Sequence, residues 1–129
     1  MSDMSDQVFR AAQTGDLPSL KSLVDRGGDV NARHPLVGWT ALQQAAYGGH
    51  TSLVVFLVER GADVHAVDEI GQTALRHAAL RGDLAAVTCL VEHGADVNAR
   101  TARGVTVLDA AETGGQQAVI EFLKSRGAR

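Results

Sequence analysis

The phrase GGDVNA at residues 27–32 returns as GADVHA at 61–66 and as GADVNA at 94–99, the last two starting 33 residues apart. A second phrase keeps the same step: GWTALQQAA from Gly38, GQTALRHAA from Gly71 and GVTVLDAAE from Gly104. A fixed period of this length makes the chain a tandem array. A unit this small cannot bury its own apolar face, so units must stack on one another, and about three or more are needed for a stable stack.

Each unit reads as helix, tight turn, helix and extended arm. Thr40, Thr73 and Thr106 precede short runs rich in alanine and leucine, where a threonine hydroxyl can cap the free amides of a helix start. Gly49, Gly82 and Gly115 follow those runs and permit a tight turn, because glycine enters positive φ without a Cβ clash. Second helices are expected from Leu17, Thr51, Leu84 and Gln117. Their apolar residues fall at helical spacing, as in Val54, Leu57 and Val58 or Val87, Leu90 and Val91, and those faces should form the core. Gly27, Gly61, Gly94 and Gly127 stand where each second helix should end in a left-handed residue. Asp29, Asp63 and Asp96 recur with the arm and read as turn formers.

The unit resembles the ankyrin repeat. Residues 67–99 carry Asp68, Gly71, Thr73, Leu75, Ala78, Ala79, Gly82, Val87 and Leu90 ahead of GADVNA, in that family's order. Residues 34–66 follow the pattern with one extra residue between Asn31 and Gly38, residues 100–129 keep its glycines and apolar frame, and residues 5–33 retain its second half. The resemblance implies an all-α solenoid of stacked helix-turn-helix units with short β-hairpin loops. It covers a single domain over 1–129, with four repeats at about 5–33, 34–66, 67–99 and 100–129. Where the family has proline after threonine this chain has Ala41, Ala74 or Val107, and its usual histidine is replaced by Gln43, Arg76 or Asp109. The threonine–histidine bonding typical of the family therefore cannot form as usual, and some local stability should be lost.

The ends change character. The position of Phe56, Cys89 and Phe122 is Ser22 in the first unit, and that of Ala46 and Ala79 is Glu112 in the last, so polarity falls where a stacked neighbour would be absent. This reads as a complete array, with residues 1–4 expected to pack against nothing.

Composition narrows the function. At 129 residues, 45% apolar and 21% charged, the chain suits one folded domain and not a disordered segment. A formal net charge of −3 gives no electrostatic drive toward nucleic acid or anionic lipid. The N-terminus MSDMSDQVF lacks the features of a signal peptide and no apolar run reaches the roughly 20 residues that span a bilayer, so a cytoplasmic location is expected. Cys89 is the single cysteine, which rules out an internal disulfide and reads as a core thiol. His34, His50, His65, His77 and His93 show no metal-ligand spacing and each occupies a repeat position. No catalytic, cofactor or metal site is expected, and the chain reads as a non-enzyme.

What remains is surface. In ankyrin proteins the hairpin tips and the exposed side of each first helix form a concave recognition face. Carried over by position, the resemblance implies a partner-binding set of Leu36, Val37, Trp39, Tyr47, Ile70, Gln72, Leu80, Arg81 and Arg103. Trp39 and Tyr47, the only tryptophan and tyrosine, both fall in it, and Trp, Tyr and Arg are the types enriched at binding hot spots. The competing reading folds Trp39 over its own hairpin and lays Tyr47 on a neighbouring helix. The first hairpin, ARHPLVGW, differs from its successors through its extra residue and Pro35; loops tolerate such length changes readily.

The main expectation is an adaptor or regulator, monomeric, that binds a protein through the concave face. The alternative is a small ankyrin-type inhibitor acting by occupancy, since compact proteins of this family include inhibitors of cyclin-dependent kinases. Self-association through the apolar groove and a hydrolytic or redox activity are weaker readings. LVDRGGDVN and LVEHGADVN also look like segments hydroxylated on asparagine in some animal ankyrin proteins, here Asn31 and Asn98.

Overall fold

The computed structural model describes residues 3–129. Eight helices occur among them: α1 Met4–Thr14, α2 Leu17–Asp25, α3 Ala41–Gly48, α4 Thr51–Glu59, α5 Ala74–Arg81, α6 Leu84–Glu92, α7 Val107–Gly114 and α8 Gln117–Ser125. The odd-numbered helices stack as an inner layer and the even-numbered ones as an outer layer. Each helix therefore packs on its own partner and on its counterpart in the next unit, which is the quasi-one-dimensional arrangement the period demands.

The local signals act as expected. Thr40, Thr73 and Thr106 each accept a hydrogen bond from the backbone amide three residues on. The second helices begin at Leu17, Thr51, Leu84 and Gln117. Gly49, Gly82 and Gly115 close the inner helices at φ of 75°, 76° and 74°, values that would strain any residue with a Cβ. The carboxylates of Asp29, Asp63 and Asp96 each accept from the amide two residues on, at 2.8 Å in all three.

Small residues set the spacing of the inner layer. Ala45, Ala78 and Ala111 are fully buried, and α5 meets α7 so closely that a Cβ on Gly114 would lie 2.4 Å from the Leu80 carbonyl oxygen. The outer layer supplies the bulk, with Leu20, Leu53, Leu57, Leu90 and Leu123 buried beneath it. Burying each such side chain contributes about 1.5–3 kcal/mol.

The hairpin arms carry little strand pairing, and two expectations need revision. The arms form no strand among the described residues; two isolated bridges, Arg33 with Thr40 and Arg100 with Thr106, mark the first and third hairpins. The missing histidines cost less than expected, because Gln43 and Asp109 replace them as reciprocal caps of Thr40 and Thr106, and the Gln43 amide also donates to the Gln72 carbonyl of the next unit at 2.9 Å. Asp3 and Met4 are not idle: Asp3 caps α1 by accepting from the Asp6 amide, and Met4 is partly buried against the core. Residues 1 and 2, the rest of that expectation, lie outside the described residues.

The hairpin asparagines tie units together. Asn31 accepts from the Asp63 amide at 2.8 Å, while Asn98 accepts from the Arg129 amide and donates to the Gly127 carbonyl. His65 occupies the same position between the second and third units and makes no such bond among the described residues. Ser22 and Glu112 are both exposed.

Candidate functional site

The first hairpin tip is shaped by His34. Its amide donates to the Trp39 carbonyl at 2.8 Å and its ring Nδ1 accepts from the Leu36 amide at 3.1 Å. The His34 ring in turn packs on Phe9, so the tip is braced from below and its apolar residues point away from the body. Leu36 is 88% exposed and Val37 52%.

Trp39 leaves this tip toward the third unit. Its indole Nε1 donates to Asp68 Oδ2 at 2.8 Å, and its ring lies 4.7 Å from that of His77 and 5.1 Å from that of Tyr47. Tyr47 meets His77 edge-on at 5.7 Å. Three rings from two units thus form one cluster, in the tilted geometries that aromatic quadrupoles favour. His77 is its buried floor and Tyr47, at 54% exposure, its open edge. Trp39 is half-buried.

Asp68 anchors the cluster. Its Oδ1 accepts from the Ile70 and Gln72 amides, and its Oδ2 from the Trp39 indole and the Gln72 side-chain amide, all between 2.8 and 3.1 Å. Burial raises its pKa, but these bonds outweigh that and hold it below the usual carboxylate value. His77 is pushed the other way from its charged form. Burial, then the neighbouring Arg76 charge, lowers its pKa to about 4, with Asp68 opposing. The ring is neutral at pH 7, and its Nε2 is buried without a hydrogen-bond partner among the described residues.

The nine positions implied by the resemblance do not form one patch. Leu36, Val37, Ile70 and Gln72 surround a trough of about 200 Å³ with Asp68 and Glu69. Ile70, Gln72 and Arg103 surround a second, of about 330 Å³, with Arg76, Thr101, Ala102 and Val105. Ile70, 56% exposed, is the ridge between them. Arg81 is exposed but its guanidinium donates to the Tyr47 carbonyl at 3.1 Å. Leu80 stands apart, partly buried against the core.

Sequence reasoning treated Asp68 as framework and His77 as structural. Their convergence on Trp39 is a contact between units that single-repeat patterning does not display. Arg76 is a similar omission: it fills a framework position, yet its guanidinium reaches Gln72 Oε1 at 2.7 Å on the wall of the second trough.

Among the described residues no helix is long and apolar enough to cross a membrane. A family model described as ankyrin repeats in three copies matches residues 8–101 and 54–129. The ankyrin repeat and SAM domain-containing protein 6 of Rattus norvegicus is 42% identical over 62 residues, 48% of this chain and 7% of that protein. The ankyrin repeat domain-containing protein 40 of Mus musculus is 34% identical over 61 residues, 47% of this chain and 17% of that protein. A 2-5A-dependent ribonuclease of Mus musculus is 36% identical over 58 residues, 45% of this chain and 8% of that protein. The likeness to each is confined to a small part of a much longer polypeptide.

Proposed function

The chain belongs to the ankyrin-repeat family, whose repeats are generally non-catalytic protein-interaction modules, and from that premise we propose that it is an adaptor or regulator that binds a protein partner through the concave face. The observation that carries this reading is the row of exposed apolar residues at the hairpin tips, Leu36, Val37 and Ile70, beside the open edge of Tyr47. Exposed apolar residues grouped in this way invite association and are characteristic of interaction sites. The ring cluster behind it is held by hydrogen bonds and buried packing, so the face is preformed and loses little freedom on binding. A monomer acting in the cytoplasm, without enzymatic activity of its own, completes the proposal.

Affinity capture from the source cells tests it, with wild type compared against Leu36→Ser/Tyr47→Ala. Both side chains are more than half exposed, and because Tyr47 also packs on Trp39 and His77, the variant is used once circular dichroism shows it folded at the capture temperature. A protein retained by wild type and lost by the variant supports the reading; equal retention moves the binding site off this face. If the retained partner is an enzyme that loses turnover on binding, the regulator is an inhibitor by occupancy.

A further inference from the structure

The two troughs on either side of Ile70 differ in charge. The one toward the first hairpin tip has Asp68 and Glu69 on its wall and no base. The other, toward the fourth unit, has Arg76 and Arg103 and no carboxylate. Neither arginine makes an ion pair among the described residues, where the pair found is Arg60 with Asp25. Arg76 is also incompletely bonded, its Nε being buried without a partner.

The second trough is the larger, and its shape is fixed by backbone. The Ala102 amide donates to the Ile70 carbonyl at 2.9 Å, joining two successive hairpin tips. Gly71, at φ 80°, lets them meet: a Cβ there would lie 3.2 Å from Ala102 N and Thr101 Cα. Ile70, Ala102 and Val105 give the trough an apolar lining alongside the two arginines. Resting on the protein-binding reading above, we propose that this trough takes an extended segment of a protein partner, in which an aliphatic side chain is flanked by carboxylates on the side facing the fourth unit.

The charges set both sign and direction. An aliphatic group fills the space between Ile70 and Val105, and carboxylates reach the Arg103 fork, which matches a carboxylate's two oxygens, with the Arg76 charge beside it. A segment laid the other way round would bring its carboxylates to Glu69. The formal charge of −3 on the whole chain does not oppose this, because at physiological salt charges beyond about 8 Å are largely screened and the local pair decides. Arg103 is solvent-exposed, so its share lies in selecting the partner's charge more than in affinity.

Short fluorescein-labelled peptides of repeating Leu-Asp-Glu, Leu-Lys-Lys and Ser-Asp-Glu test the assignment by fluorescence anisotropy, with Trp39 emission as an internal reporter. Wild type should bind the Leu-Asp-Glu peptide saturably and at least about tenfold more tightly than either control. Arg103→Glu should weaken that binding by about tenfold and improve binding of the lysine peptide, and Ile70→Ser should weaken the first without favouring the lysine peptide. Equal binding of the acidic and lysine peptides, or no effect of Arg103→Glu, overturns the proposal. So does self-association by sedimentation that Arg103→Glu abolishes while no peptide binds, which would assign the trough to a second copy. A partner captured through Leu36 and Tyr47, with all three peptides failing, would leave the protein-binding reading standing and remove this one alone.

Discussion

Removing the Asp68 carboxylate should loosen the concave face and the joint between two units together. Its four hydrogen bonds run to Ile70, twice to Gln72, and to Trp39 29 residues away in sequence. A bond to a charged acceptor is worth about 1.5–3 kcal/mol where water is excluded. Asp68 is partly exposed, so water recovers much of this on removal, and a net loss of about 2–3 kcal/mol is expected for Asp68→Ala. Asp68→Asn should lose about half as much, because its carboxamide oxygen can still accept from the two backbone amides. Its NH2 would face the Trp39 N–H and the Gln72 amide, donor against donor. Urea unfolding followed by far-ultraviolet circular dichroism gives the stabilities, and the emission of the single tryptophan reports the tether directly. The alanine variant should unfold earlier and its native emission should move to the red as Trp39 gains water, with asparagine intermediate in stability. Wild-type stability and emission in Asp68→Ala would refute the claim that this carboxylate holds the cluster.

Two further outcomes follow from the joint between the second and third units. His65→Asn restores the asparagine that bridges the neighbouring joints, and it should raise stability by about 1 kcal/mol, read as a higher urea midpoint; an unchanged midpoint would mean the bridge contributes nothing there. His77, neutral in the fold with a pKa of about 4 against 6.5 when free, binds its proton more readily in the unfolded chain. Stability should therefore fall as pH drops from about 6.5 toward about 4, by up to about 3 kcal/mol, and level off below. His77→Gln should flatten that part of the profile even if it lowers stability overall.

The helical frame was legible because its causes are local. A threonine caps the helix that follows it, a glycine at φ near 75° ends it, and apolar spacing marks the buried stripe, each within one unit. The second helices accordingly start where the spacing puts them. The extent of the arms was not legible: pairing in Arg33–Thr40 and Arg100–Thr106 stops after one bridge, and alternation within so few residues carries no signal of that. Nor could the pattern tell that Gln43 would serve as both cap and bridge, since a family position filled by an unusual residue says what is lost and not what replaces it.

The site was legible only in its exposed half, for a reason built into the architecture. Repeat register assigns a position, but a side chain's surroundings come from the next unit. Trp39 is an example: by register it faces a partner, yet its indole is committed to Asp68 and its ring to buried His77. Those contacts are what the scaffold reading of Trp39 requires, and the proposed recognition role would draw on the same atoms. A substitution at Trp39, Asp68 or His77 consequently changes stability and surface at once and cannot tell them apart. Leu36, Val37, Ile70 and Arg103 present their side chains to solvent, so they can be altered with little effect on the core. A loss of binding in those variants speaks about recognition, whereas the same loss in Trp39→Ala would speak first about the joint between two repeats.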